Sequence, residues 1–272
     1  MLAFTSTSAA LAQDEREPGL YDQAELSLVA TAGNSESNAL GLTNRLERLW
    51  PSSTLSFDLG GIRIESGQVV RRAVGAGPDD FEIQEETNRE TTAENYFATL
   101  RLDRELSEHS FAYTSGGWVR NRPAGVDNRF TGAVGLGRKL IVSERTNFQV
   151  DIGATVTSED RLIGGTETFG GARFSWDFDH RLTESTKLTS LLIVDENLSD
   201  TEDLRGEFDN ALGVNISETL ALKTALKLLF DNQPAFEQVD LFAAPGGPVI
   251  GTVPAELDGL DSQFTVALVV TL

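Results

Sequence analysis

The 272 residues contain no cysteine, one methionine and two histidines, and basic side chains number only 22 against 42 acidic ones. Without cysteine there is no disulfide framework, no thiolate zinc site, no iron–sulfur cluster and no cysteine nucleophile. The formal charge of -20 repels nucleic acid and anionic headgroups at long range, which argues against binding to a phosphate backbone. No stretch approaches the roughly 18 consecutive apolar residues of a membrane-spanning helix. Membrane barrels stay open, because their strands carry only an alternating signal.

The first residues stand apart. Leu2 to Ala12 (LAFTSTSAALA) is an apolar and small-residue stretch closing on Ala10-Leu11-Ala12. It reads as the h-region and cleavage site of a secretory signal peptide without its basic n-region, the alternative being a disordered N-terminus. Residues 1–20 are set aside on that basis as a signal-peptide remnant and disordered start, and 21–272 are read as one domain.

From about Asp22 onward the dominant period is two, the signature of strands with unlike faces. In Gly170 to Arg181, Ala172, Phe174, Trp176 and Phe178 share one face while Arg173, Ser175, Asp177, Asp179 and Arg181 share the other. Asn147 to Thr157 and the C-terminal run from Gln263 to Leu272 repeat the pattern. Extended along the chain, it gives an all-β fold of about twelve strands near 24–33, 38–50, 53–64, 93–105, 110–121, 128–140, 147–157, 168–181, 187–195, 206–217, 220–230 and 262–272. Most are longer than the five or six residues usual in soluble sheets and suit a tilted strand crossing a bilayer.

Connections alternate between tight (51–52, 106–109, 142–146, 182–185, 218–219) and long (34–37, 66–92, 122–127, 158–167, 196–205, 231–261). This is the layout of a transmembrane antiparallel up-and-down barrel with short periplasmic turns, long external loops and both termini inside. Aromatics fall into two expected girdles: Trp50, Phe57, Phe111, Tyr113, Phe148, Trp176 and Phe178 near the short turns, and Tyr96, Phe130, Phe169, Phe208, Phe230 and Phe264 near the long loops. The competing reading is a soluble sandwich or lipocalin-like barrel with its apolar face inward. Strand length, loop asymmetry and the leader favour the outer membrane.

Leu26 to Ser35 (LSLVATAGNS), Arg120-Asn121-Arg122 with Asp127-Asn128-Arg129-Phe130, Gly135 to Leu140 and Asp151-Ile152-Gly153-Ala154 together resemble the YdiY-like family of salt-induced outer membrane proteins, over roughly Gln23 to Leu272. The resemblance implies location and fold, with salt or osmotic stress as a context, and it brings no catalytic residues. Barrels of this kind usually end on an aromatic residue read by the barrel-assembly machinery. Here the chain ends on Leu272, with Phe264, Val266, Leu268 and Val270 completing the expected assembly signal.

Inward phase puts Arg101, Asp103, Arg120, Arg129, Asp151, Arg173, Asp177, Asp179, Arg181, Lys223 and Lys227 among the expected lumen-lining residues, with near-balanced charge and mutual ion pairing. Asp195, Glu196, Asp200, Glu202 and Asp203 form an expected external acidic loop. They lack the spacing and central glycine of an EF-hand, so weak divalent-cation binding is the most they suggest, and neither a metal site nor a cofactor is expected. The Gly132 to Gly137 run lies in a strand with no following helix, so its glycines are read as making room for bulky lumen side chains rather than as a nucleotide loop. His109 and His180 both map to periplasmic strand ends with no serine in a matching wall position, which argues against a His-based hydrolase.

The expected function is therefore a narrow passive channel for small solutes or ions. Most of the acidic surplus lies in the external loops, so an open pore would favour cations at low salt. The alternative is a non-conducting structural or adhesive envelope barrel. In that case its acidic loops would bind divalent cations, lipopolysaccharide or a protein partner. The expected partners are outer-membrane lipid, lipopolysaccharide and the assembly machinery, and the sequence carries no signal for oligomeric state.

Overall fold

The computed structural model describes residues 17–31, 35–77, 80–244 and 247–271; the leader reading over residues 1–16, and Leu272, lie outside them. Twelve strands close into one antiparallel barrel: β1 (Leu20–Thr31), β2 (Ser35–Trp50), β3 (Ser53–Gly77), β4 (Asp80–Ser107), β5 (Ser110–Asn121), β6 (Val126–Val142), β7 (Thr146–Arg161), β8 (Gly165–Arg181), β9 (Thr186–Asn197), β10 (Leu204–Asn215), β11 (Leu220–Asp231) and β14 (Leu260–Thr271). Between β11 and β14, β12 (Phe236–Phe242) and β13 (Val249–Glu256) form a separate hairpin. Each barrel strand pairs with its neighbour in sequence, and β14 closes the ring on β1 through Gln23↔Thr271 to Leu26↔Leu268.

The wall forms because each strand separates two solvents. On β7, Ile152 and Val156 are exposed on the outside (64% and 61%), whereas Asp151, Thr155 and Thr157 are buried inside. On β14, Phe264, Val266, Leu268 and Val270 form an exposed outer row while Gln263, Ala267 and Val269 are buried. A belt of this size left in water would be untenable for a soluble monomer, and it matches the lipid-facing band of a membrane barrel.

The structure corrects several sequence expectations at the long-loop end. Residues 66–92 are mostly not loop, since β3 and β4 continue as one hairpin well beyond the wall. Most of 158–167 is likewise strand, with β7 running to Arg161 and β8 starting at Gly165, and 231–261 contains the β12–β13 hairpin. The alternation ended earlier than the strands did. Past the apolar belt both faces meet water, as the hydrogen-bonded outer pair Ser158 and Thr168 shows, so period two no longer marks a strand.

Candidate functional site

Near the short turns the lumen is filled by aromatic rings lying over glycines. Phe111 and Tyr113 of β5 point inward and are buried (3% and 4% exposed). A Cβ added at Gly137 would meet the Phe111 ring at 2.0 Å, and one at Gly135 or Gly153 would meet Tyr113 at 2.5 or 2.4 Å. These glycines therefore open the space the rings occupy, whereas Gly132, on the outer face, has nothing near it. Above the rings Arg101 stacks on Tyr113, 4.2 Å from its centroid, and bonds Asp103 (2.9 Å) and Asp151 (3.2 Å). Ser175 donates to the other Asp151 oxygen at 2.7 Å.

This inverts the phase expected for β5. Phe111 and Tyr113 belong to the lumen rather than to the periplasmic girdle, and Arg120, expected inside, stands on the opposite face from the lumen residues Val119 and Asn121. There it pairs with Asp127 at 3.4 Å. The bulky alternating residues of β5 resemble a lipid face, and only the glycines on β6 and β7 reveal that the rings fit inside. Phe169 is also a lumen residue, with Arg205 stacked on it at 5.3 Å.

The opposite end of the lumen is tied by charge. Glu159, 1% exposed, accepts hydrogen bonds from Arg129 on the paired strand, from Arg161 (2.6 Å) and from Arg205 (2.8 Å). Arg205 lies on β10, three strands from β7, so this contact cuts a chord across the lumen. Arg205 also grips Asp203 at 2.8 and 3.0 Å. At this height the outer face carries Ser158 and Asp160, which places the cluster above the apolar belt. Burial alone would raise the Glu159 carboxyl, but the Arg129 and Arg205 charges and the hydrogen bonds from Arg129 and Arg161 outweigh it and hold it down at about 2.

A cavity of about 400 Å³ runs between these regions. It extends from Thr54 and Asp103 near the short turns to Asp258 and Asp261 at the mouth. Among the described residues six bases line it: Arg45, Arg101, Arg129, Arg173, Arg205 and Lys227. Twelve carboxylates do so: Glu47, Asp58, Asp103, Asp151, Asp177, Asp195, Glu196, Asp203, Glu207, Asp231, Asp258 and Asp261. Within this cavity the lining is therefore acidic by two to one, while inward residues outside it, such as Lys187 with Asp179 and Lys223 with Glu25, are paired one to one. Arg45 of β2 sits close enough to Asp177 of β8, six strands away around the ring, to interact with it electrostatically, so opposite charges face each other across a narrow section.

Of the expected lumen residues, Arg101, Asp103, Arg129, Asp151, Arg173, Asp177 and Lys227 line this cavity. Asp179 lies inside but outside the cavity, bound to Lys187 at 2.8 Å, and Lys223 is bound to Glu25 at 2.8 Å. Arg181 is exposed at the end of β8. The expected external acidic loop divides. Asp195 and Glu196 are strand residues of β9, and Asp195 is held by Arg173 in a two-pronged bond of 2.7 and 2.7 Å. Asp203 is buried on Arg205, leaving Asp200 and Glu202 exposed in the loop. Sequence reasoning missed Glu159, Arg161 and Arg205. Glu159 and Arg161 keep the inward phase of Thr155 and Thr157, but with Ser158 and Asp160 also polar no contrast between the faces marked it.

The mouth is crossed by the segment between β11 and β14. Asp231 and Gly259 close its base (2.9 Å), Gln233 donates to Asp200 (3.1 Å), and the Leu257 amide bonds the Ala235 carbonyl (2.9 Å). Ala235 is buried against Gly125, whose backbone has φ 75, and a Cβ added there would stand 2.4 Å from the Ala235 Cβ and 3.6 Å from Leu257 Cδ1. Gly125 sits in the β5–β6 turn, and β5 is six strands from β11 in the ring. A segment rooted on one wall and resting on the opposite wall spans the opening. His109 lies exposed in a turn, and His180 stacks on Phe178 (6.3 Å) with its Nδ1 at 2.7 Å from the Thr146 hydroxyl.

The family described as "Protein of unknown function, DUF481" matches residues 24–241, in agreement with the resemblance carried by Leu26 to Ser35 and the later motifs. No curated protein matches the chain in sequence. Among solved structures it is similar to the NanC porin (8% identity, 92% of this chain and 98% of that one, TM-score 0.46). It is also similar to the anion-selective porin from Comamonas acidovorans (11% identity, 94% and 99%, TM-score 0.39). A third similar structure is the translocator domain of the autotransporter NalP from Neisseria meningitidis (12% identity, 97% and 92%, TM-score 0.43).

Proposed function

The chain belongs to the DUF481 family, which brings no activity with it, and from the lumen itself we propose an outer-membrane protein that acts as a narrow, cation-preferring passive channel rather than as an enzyme. The observation that carries this reading is the cavity along the barrel axis with twelve carboxylates against six bases. Fixed negative charge in a confined aqueous path raises the local concentration of cations and depletes anions. A route of this kind responds directly to ionic strength, which suits the salt context implied by the family resemblance. The outer apolar belt supports the location, and the outward row Phe264, Val266, Leu268 and Val270 is the surface we assign to the assembly machinery. Asp200 and Glu202 are the exposed carboxylates positioned to bridge through divalent cations to lipopolysaccharide phosphates.

The test is the reversal potential of refolded protein in planar bilayers under a KCl gradient. Potassium should be preferred over chloride at low salt, with the preference fading as the Debye length shortens from about 10 Å at 0.1 M to about 3 Å at 1 M. Anion preference would overturn the reading.

The segment resting on Gly125 favours a second reading, a barrel closed at its mouth that serves the envelope without conducting. Replacing residues 233–257 by a short glycine linker separates the two, because Asp231 and Gly259 already meet. Unit conductance should rise several-fold if the segment narrows an open channel. Conductance seen only after the excision would select the closed barrel.

A further inference from the structure

Part of the inner wall is not ionic. Leu191 and Ile193 of β9 and Leu229 of β11 have the inward phase and line the cavity, on strands whose inward phase also carries Asp195, Lys227 and Asp231. Ile193 and Leu229 flank Glu207 from its two neighbouring strands. In the ring β9, β10 and β11 stand six strands from β3, β4 and β5, so this strip lies on the opposite side of the same cavity from Phe97 and Val119, which pack in a cluster with Ile62. Apolar side chains on opposite sides of a water-filled path are costly unless something apolar passes or rests between them.

The polar groups around this section discriminate by charge. All six cavity bases are already held by carboxylates: Arg45 by Asp58, Arg101 by Asp103, Arg129 and Arg205 by Glu159, Arg173 by Asp195 and Lys227 by Glu207. Asp258 and Asp261 at the mouth form no ion pair among the described residues. Beside Ile62 in the β3–β4 register, Asn95 is buried (3% exposed), and its Oδ1 has no donor among them. An anion entering here meets no free base, whereas an ammonium group meets open carboxylates and an orphan acceptor.

We propose that the outer half of the lumen binds a small organic ammonium ion with an apolar body. The body would lie between Ile193 with Leu229 and Phe97 with Val119, and the N–H groups would reach Asp258, Asp261 and Asn95. A cavity of about 400 Å³ falls in the range of roughly 300 to 1,000 Å³ typical of small-molecule sites. This rests on the reading of the lumen as a solute route and names the class of solute.

The experiment is titration calorimetry on the protein in lipid nanodiscs, with empty discs as blank and hexylammonium, hexanesulfonate and methylammonium as probes. Hexylammonium should bind, hexanesulfonate with the same tail should not, and methylammonium should bind at least about tenfold more weakly, since even one methylene in an apolar pocket can change affinity that much. Ile193→Asn with Leu229→Asn should weaken hexylammonium by about tenfold or more without altering methylammonium. Asp258→Asn with Asp261→Asn, at the mouth where refolding is least at risk, should weaken both amines. Equal binding of hexylammonium and hexanesulfonate, or hexylammonium affinity unchanged by both double variants, would overturn the proposal. Conductance is read separately: a cation-preferring channel that binds none of the amines removes this inference and leaves the channel, while amine binding without conductance does the reverse.

Discussion

The two ends of the lumen are filled by different means. Near the short turns, Phe111 and Tyr113 lie over Gly135, Gly137 and Gly153, and Arg101 covers them while bonding Asp103 and Asp151. These contacts join β4 to β7, a run of adjacent strands. At the mouth, Glu159 gathers arginines from β6, β7 and β10, and the β11–β14 segment reaches the β5–β6 turn across the opening. The first filling follows from neighbours along the sheet and adds bulk. The second adds to the paired strands β6 and β7 two chords between strands that do not touch, Arg205 to Glu159 and Ala235 to Gly125, and it shapes the entrance. One end of the barrel is packed as a core, and the other is held as a frame around an aqueous space.

The largest effect should come from breaking the frame. Glu159→Ala leaves three guanidiniums converging on an empty position. Removing one partner from a buried ionic cluster costs about 3 to 5 kcal/mol. Denaturant unfolding of the refolded barrel, followed by the gel shift between folded and heated samples, measures it; a loss below about 1 kcal/mol would mean that the cluster is ornamental. The same carboxyl makes the frame sensitive to acid. Its folded value lies below that of the unfolded chain, so its contribution is present above the ordinary carboxylate range and is lost as pH falls toward 2. Unfolding midpoints that drop more between pH 5 and pH 2 in the parent than in the variant are the expected result.

A substitution on the wall shared by both ends sets the scale. Ile152→Arg places a charge on the lipid face and should cost about 2 to 4 kcal/mol near the bilayer midplane. Gln149→Arg on the inner face of the same strand should cost much less. Equal losses in the same unfolding assay would show that β7 has been turned the wrong way round.

The smallest of the three effects belongs to the packed end. Gly137→Val must displace the Phe111 ring and should cost about 1 to 3 kcal/mol, whereas Gly132→Val, facing open space on the outside, should be neutral or slightly stabilising. If the two glycines respond alike, the rings are not what the Gly132 to Gly137 run accommodates.

The sequence by itself determined the twelve strands, which end carries the short turns, and the lipid face of most of the wall. The reason is local, since each strand within the belt separates hydrocarbon from a polar interior and its own residues record that difference at every second position. Where the contrast of solvents vanishes, so does the record. The extensions of β3, β4, β7 and β8 meet water on both faces, and the strip of Leu191 and Ile193 on β9 is apolar on the inner as well as the outer face. The orientation of Phe111, Tyr113 and Arg120, the gathering of Arg129, Arg161 and Arg205 on Glu159, and the bridge from Ala235 to Gly125 were decided only by the closed barrel. Inside a lumen a side chain's surroundings are set by strands far away in sequence, and ring closure is what brings them together.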